Sequence, residues 1–271
     1  MGKAFNLGKL FGIEFRLHFS WFIMFALVTG LLVYPNYSQW LYWVIGIVTS
    51  LLFFTSVVAH ELAHSLVGRA NGIPIVSITL FIFGGVAQMT KEATRPGAEL
   101  KMAIAGPICS LAIGGLFGLL LLIPKIPEPI AAMIYWLALI NVVLAVFNLI
   151  PGFPLDGGRV FRSLLWHITG NYSRSSRIAI RLGQGIGYLL ILGGILIVFL
   201  HPFDFTWFEG IWMAFIGWFL ASVASASYRQ IRRQEALSGF AAAGVIPSNY
   251  PTVPSDIEGR GTEGRITKKP Q

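Results

Sequence analysis

Six apolar stretches, each about long enough to cross a bilayer, dictate what this chain can fold into. They fall at roughly 17–34, 41–69, 99–123, 130–150, 177–200 and 206–228, and a spanning helix needs about 20 predominantly apolar residues. A water-facing surface cannot absorb them: 12% of the residues are charged, about half the share of an ordinary soluble domain. The sequence predicts an all-α polytopic membrane protein of about six transmembrane helices over residues 1–228, with a polar segment behind it. The first run is too long for a signal core and lacks a small-residue cleavage site, so it is expected to be retained.

The basic residues fix an orientation. Lys3, Lys9, Arg16, Arg69, Lys91, Arg95, Lys101, Arg159, Arg162, Arg174, Arg177, Arg181, Arg229, Arg232 and Arg233 fall on one set of loops, and Lys125 stands alone on the other. Basic loops stay cytoplasmic, so both termini are expected on that side. The net charge of +8 is then explained without nucleic acid as a partner. Cys109 lies in an apolar run as a lone cysteine; it reads as a packing residue and implies no disulfide.

Two segments depart from simple spans. Residues 74–90, PIVSITLFIFGGVAQMT, are too short to cross and rich in β-branched and aromatic residues. They predict a short membrane-associated β-hairpin after the second helix, whose backbone groups need partners that lipid does not supply. Residues 148–170, NLIPGFPLDGGRVFRSLLWHITG, interrupt an apolar run with Pro and Gly before a short amphipathic helix. Broken backbone at membrane depth is tolerated where it is buried in protein or lines a cavity.

The chemistry is carried by His60-Glu61-Leu62-Ala63-His64, an H-E-x-x-H pattern. Residues four apart share a helix face, so both imidazoles can reach one zinc ion while Glu61 stands beside it as a general base. Random placement of five His and nine Glu yields the pattern in ~0.3% of such chains. The surrounding run is apolar, where ionisable groups are expensive and usually functional. Helical rise puts His60 ~13 Å from Arg69, which places a metal below the cytoplasmic surface.

A catalytic zinc takes three protein ligands and keeps one position open. The candidates for the third are His18, Asp156, His167, His201, Asp204 and Glu209. The last two and His201 fall in the far loop, and His18 and His167 read as interfacial. Asp156 is favoured, because it sits in the broken segment at a depth matching His60. The competing reading is a helix N-cap for a segment starting at Gly157.

Three stretches, AHELAHSLVG at 59–68, AGPICS at 105–110 and FNLIPGFPLDGGR at 147–159, resemble the site-2 protease family of intramembrane zinc proteases. The resemblance covers residues 1 to about 228. It implies one zinc per chain held by His60, His64 and Asp156, a transmembrane protein as substrate, a lipid bilayer as surroundings, and a prokaryotic cytoplasmic membrane as location. It makes Asn148 a candidate for positioning substrate, the alternative being a buried amide that satisfies broken backbone. The hairpin would pair with the substrate backbone by strand addition; Gly84 and Gly85 would permit its close turn or its approach to substrate. Gly106-Pro107 reads as shaping helix packing.

No insertion is long enough for a PDZ domain. Residues 235–256, EALSGFAAAGVIPSNYPTVPSD, resemble the entry into a pair of cystathionine-β-synthase domains, so 229–254 is expected to lead into a regulatory pair missing from this chain. Regulation by adenine nucleotide is therefore not expected. Ile257-Glu258-Gly259-Arg260 resembles an engineered protease-cleavage linker, and 255–271 reads as a linker tail. Two alternatives to the protease stand: a prenyl-protein protease, which would use a Glu as third ligand, and a transporter with a metal at its broken helices.

Overall fold

Residues 13–18, Ile-Glu-Phe-Arg-Leu-His, alternate apolar and polar side chains, the period of a half-buried strand. In the computed structural model, which describes residues 4–34, 38–82, 84–90, 92–200 and 206–242, they form β2 (Ile13–His18) with Ile13, Phe15 and Leu17 buried. β1 (Ala4–Leu10) pairs antiparallel with it through the two-residue turn Phe11-Gly12. Both turn residues have positive φ, 52° and 74°, the primed geometry that matches strand twist. The Arg69 guanidinium donates to the Phe11 carbonyl at 2.7 Å and ties this turn to the end of the second helix.

The sheet continues with β3 (Ile75–Phe81), parallel to β2, and β4 (Gly84–Met89), antiparallel to β3, in the order β1-β2-β3-β4. The expected hairpin is present, but it is half of a four-stranded sheet. The N-terminal strands went unread because their alternation runs straight into an apolar stretch. The first expected span is also corrected. Leu17 and His18 belong to β2, and α1 (Ser20–Val33) keeps 14 residues, a rise of roughly 21 Å against a hydrocarbon core of about 30 Å.

Among the described residues, five helices are long and apolar enough to cross a membrane: α2 (Trp40–Ala70), α3 (Pro96–Leu120), α4 (Glu128–Asn148), α6 (Tyr172–Leu200) and, through Trp207–Arg229, α7 (Trp207–Ala242). Between α4 and α6 lies the short α5 (Asp156–Thr169). Apart from Phe54, the inward face of α2 is built from small and polar residues, Gly46, Thr49, Ser50, Ser56, His60, His64, Ser65 and Gly68, while large apolar side chains such as Trp43, Ile47 and Leu51 are exposed. Helices in lipid associate through such small residues, because the apolar side chains gain nothing by leaving the tails.

α3 is central, packing against α2, α4 and α5. The apolar face of the sheet, Ile13, Phe15, Leu17, Ile78 and Leu80, rests on Val58 and Leu62 of α2. It thereby holds β4 beside the turn that carries Glu61. By its contacts the chain divides into Met1–Tyr228 and Arg229–Gln271; in the second unit, the described residues 229–242 are helical. Most of the regulatory-entry segment and all of 255–271 lie outside the described residues.

Candidate metal centre

His60 and His64 sit one helical turn apart on the inward face of α2, 3% and 9% exposed. Their Nε2 atoms approach each other to 3.1 Å. Asp156, the first residue of α5, completes the group: its Oδ2 lies 3.2 Å from His60 Nε2 and 3.1 Å from His64 Nε2. The broken segment makes this reach possible. α4 ends at Asn148, the chain turns through residues 149–155 with a cis Phe153–Pro154 bond, and α5 restarts at Asp156. Leu155 is the N-cap residue of α5, without a side-chain cap bond. Asp156 is thus free of the capping role that the sequence left open.

The far nitrogens of both rings are engaged. His64 Nδ1 lies 2.6 Å from the Met102 carbonyl and His60 Nδ1 lies 2.8 Å from Ser110 Oγ, both partners belonging to α3. A carbonyl can only accept, so His64 carries its proton on Nδ1 and presents a lone pair at Nε2. With His60 in the same tautomer, three electron-rich atoms converge on one point, an arrangement that a bound cation satisfies. The three are also spaced for one, since atoms held 2.0–2.1 Å from a tetrahedral zinc lie ~3.3–3.4 Å apart, close to the 3.1–3.2 Å found. The donor set therefore fits zinc, and the bonds on Nδ1 are the outer support that fixes a ligating histidine's tautomer and ring plane.

Two glycines bound the site. A Cβ on Gly106 of α3 would collide with the Nε2 atoms of His60 and His64. Gly106, expected from sequence to shape helix packing, is where α3 leaves room for the convergence of the two rings. The signal was present: Gly106 and Ser110 are four apart in an apolar helix and so share the face turned to α2. On the other side, a Cβ on Gly85 would meet Cγ and Cδ of Glu61. Gly85 belongs to β4, the outer strand of the sheet, and there the face of the strand, the direction in which a Cβ points, lies against the Glu61 side chain.

The remaining candidates fall elsewhere. Gly84 (φ 121°) opens β4 opposite Phe81 with open space where a side chain would be. Asn148 closes α4 half-buried. His18 accepts from the backbone N–H of Ser20 at 3.2 Å at the start of α1. His167 is exposed in the last turn of α5, and Glu209 accepts from Thr206 at the start of α7. His201 and Asp204 lie outside the described residues.

Sequence and structure comparisons carry the family. The chain matches peptidase family M50 over residues 48–126 and 126–193. The chain belongs to that family. A Synechocystis relative, provisionally named a zinc metalloprotease, is 42% identical over 95% of this chain and 68% of its own length. A Mycobacterium tuberculosis relative with the same provisional name is 34% identical over 95% of this chain and 67% of its own. A Methanocaldococcus jannaschii zinc metalloprotease is 36% identical over 72% and 55%. The solved site-2 protease from Methanocaldococcus jannaschii superposes with a TM-score of 0.58 at 31% identity, covering 83% of this chain and 94% of that one. This M50 member is a multi-pass membrane metalloprotease with a site-2 protease fold.

Proposed function

We propose that this M50 protein holds one zinc on His60, His64 and Asp156 and hydrolyses a peptide bond in or near a membrane-spanning segment of a protein substrate. The observation that carries the proposal is the convergence of His60 Nε2, His64 Nε2 and Asp156 Oδ2 within 3.2 Å of one another, beside Glu61. Zinc, when bound, supplies a Lewis acid that polarises a carbonyl and brings the pKa of a water to about 7. Glu61 accepts the proton of the attacking water on its carboxylate and returns it to the departing amide nitrogen. His64 is held in the ligating tautomer by the Met102 carbonyl, and Ser110 bonds the far nitrogen of His60 and fixes its ring.

The free edge of β4 offers the substrate backbone donors and acceptors, which unwinds a helical segment and presents it extended to Glu61. Gly85 keeps that edge within reach of the carboxylate, Gly84 forms the turn, and Asn148 contributes an amide to the substrate chain. The bias of the basic loops supports both termini and the metal on the cytoplasmic side, with the short α1 as a sixth crossing where the bilayer thins to meet it.

Glu61→Gln tests the assignment. Purified wild type and variant are both expected to carry about one zinc per chain, while cleavage of a co-expressed transmembrane substrate falls ~10²–10⁴-fold in the variant. Undiminished cleavage by Glu61→Gln would sink the general-base role. Wild type that binds no zinc would sink the metal reading.

A further inference from the structure

A second buried charged group lies one turn from the metal supports and takes no part in the chemistry above. Glu99 of α3 is 1% exposed and Arg162 of α5 is 8% exposed. Arg162 donates from Nε at 2.8 Å and from Nη2 onto the same oxygen, Glu99 Oε1. Its Cζ also lies 5.0 Å from the Phe153 ring centroid and 4.9 Å from that of Tyr172. One guanidinium therefore joins four pieces of chain: α3, the broken segment, its own helix and the start of α6.

We infer that Arg162 is a positioning residue for the metal centre, holding the Asp156 carboxylate in register with the His64 support on α3. Glu99 and Met102 are three apart, so they share a face of α3; Met102 supplies the carbonyl that orients His64. Phe153 and Arg162 flank Asp156 in sequence on the two sides of the α5 N-terminus. The clamp thus fixes a carbonyl that orients one ligand relative to the helix start that carries another. A cavity of about 90 Å³ opens between β4, α3 and α5, lined by Met89, Glu92, Glu99, Met102, Arg159 and Arg162 among others. Glu99 Oε2 finds no partner among the described residues. Beside this void, the ion pair bridges α3 and α5. Arginine suits the task because its planar fork can bond a carboxylate and stack on rings together, which an ammonium cannot.

This inference rests on the zinc reading, and the experiment separates the two. Full-length protein is purified in detergent, stripped with a chelator and titrated with Zn²⁺ and Co²⁺, recording affinity, the visible cobalt spectrum and Tm. The variants are Arg162→Lys and the double change Glu99→Met with Arg162→Met. The double change removes both charges together, a replacement that is often neutral or stabilising, so it supplies a folded sample if Arg162→Lys does not fold. The expected result is ~10-fold weaker zinc binding, the size of effect common for outer-shell changes, with an altered cobalt spectrum in whichever variants fold. Variants that keep wild-type affinity and wild-type cobalt spectrum, whatever their Tm, would overturn the positioning role. Failure of wild type to bind either metal would instead overturn the metal centre itself.

Discussion

Two buried polar clusters meet α3 about two helical turns apart, at Glu99 and at Gly106, and they differ in electrical completeness. Glu99 and Arg162 neutralise each other, and the cation is further covered by two aromatic rings. His60, His64 and Asp156 bring three lone pairs to one point with nothing of opposite charge among them. A complete pair resists change and holds shape. An incomplete trio has a standing demand for a cation, and that demand is where chemistry enters. Burial alone does not distinguish the two; the sign and number of the groups do.

The largest test of this contrast is Asp156→Ala. It removes the one anionic ligand, and it should abolish stoichiometric zinc, measured by metal analysis, together with cleavage. Gly106→Ala comes next. A methyl directed at both ligating nitrogens should weaken zinc ~100-fold or more while leaving the Glu99–Arg162 pair intact, measured by chelator competition; wild-type affinity would show that α3 can retreat at no cost. Ser110→Ala leaves His60 without its outer partner, and the expectation is a 10–100-fold loss of zinc affinity or activity.

The smallest effect belongs to a third, exposed charge group. Arg16 and then Lys9 bond the Glu14 carboxylate and hold its pKa below 4.5. A depressed carboxylate pKa adds stability above the ordinary value and loses it on acidification. Glu14→Gln should therefore lower Tm slightly at neutral pH, with the difference fading as the pH falls below 4.5. Thermal melts across pH check it.

The legibility of these parts follows from how local their signals are. His60, Glu61 and His64 are readable because a helix brings residues four apart together, and any sequence shows that spacing. Asp156 is readable because a carboxylate inside an interrupted apolar run needs a reason. The alternation of Ile13 to His18 was equally local, but it merged with the apolar stretch of α1 and disappeared into an expected span. Gly106 and Ser110 showed a shared face without showing what the face meets. Glu99 and Arg162 are 63 positions apart, each unremarkable among basic loops and helix ends, and their pairing exists only once α5 is laid against α3.

α3 contributes none of the three converging atoms, yet Met102, Gly106 and Ser110 on one of its faces set the tautomer of one imidazole, the clearance of both and the outer partner of the other. A designer wishing to transplant this arrangement would gain little from copying the His pair and the aspartate onto a new scaffold. The portable unit is a cassette of α2, α3 and the α5 start, in which a helix that supplies none of the donors serves as the mould.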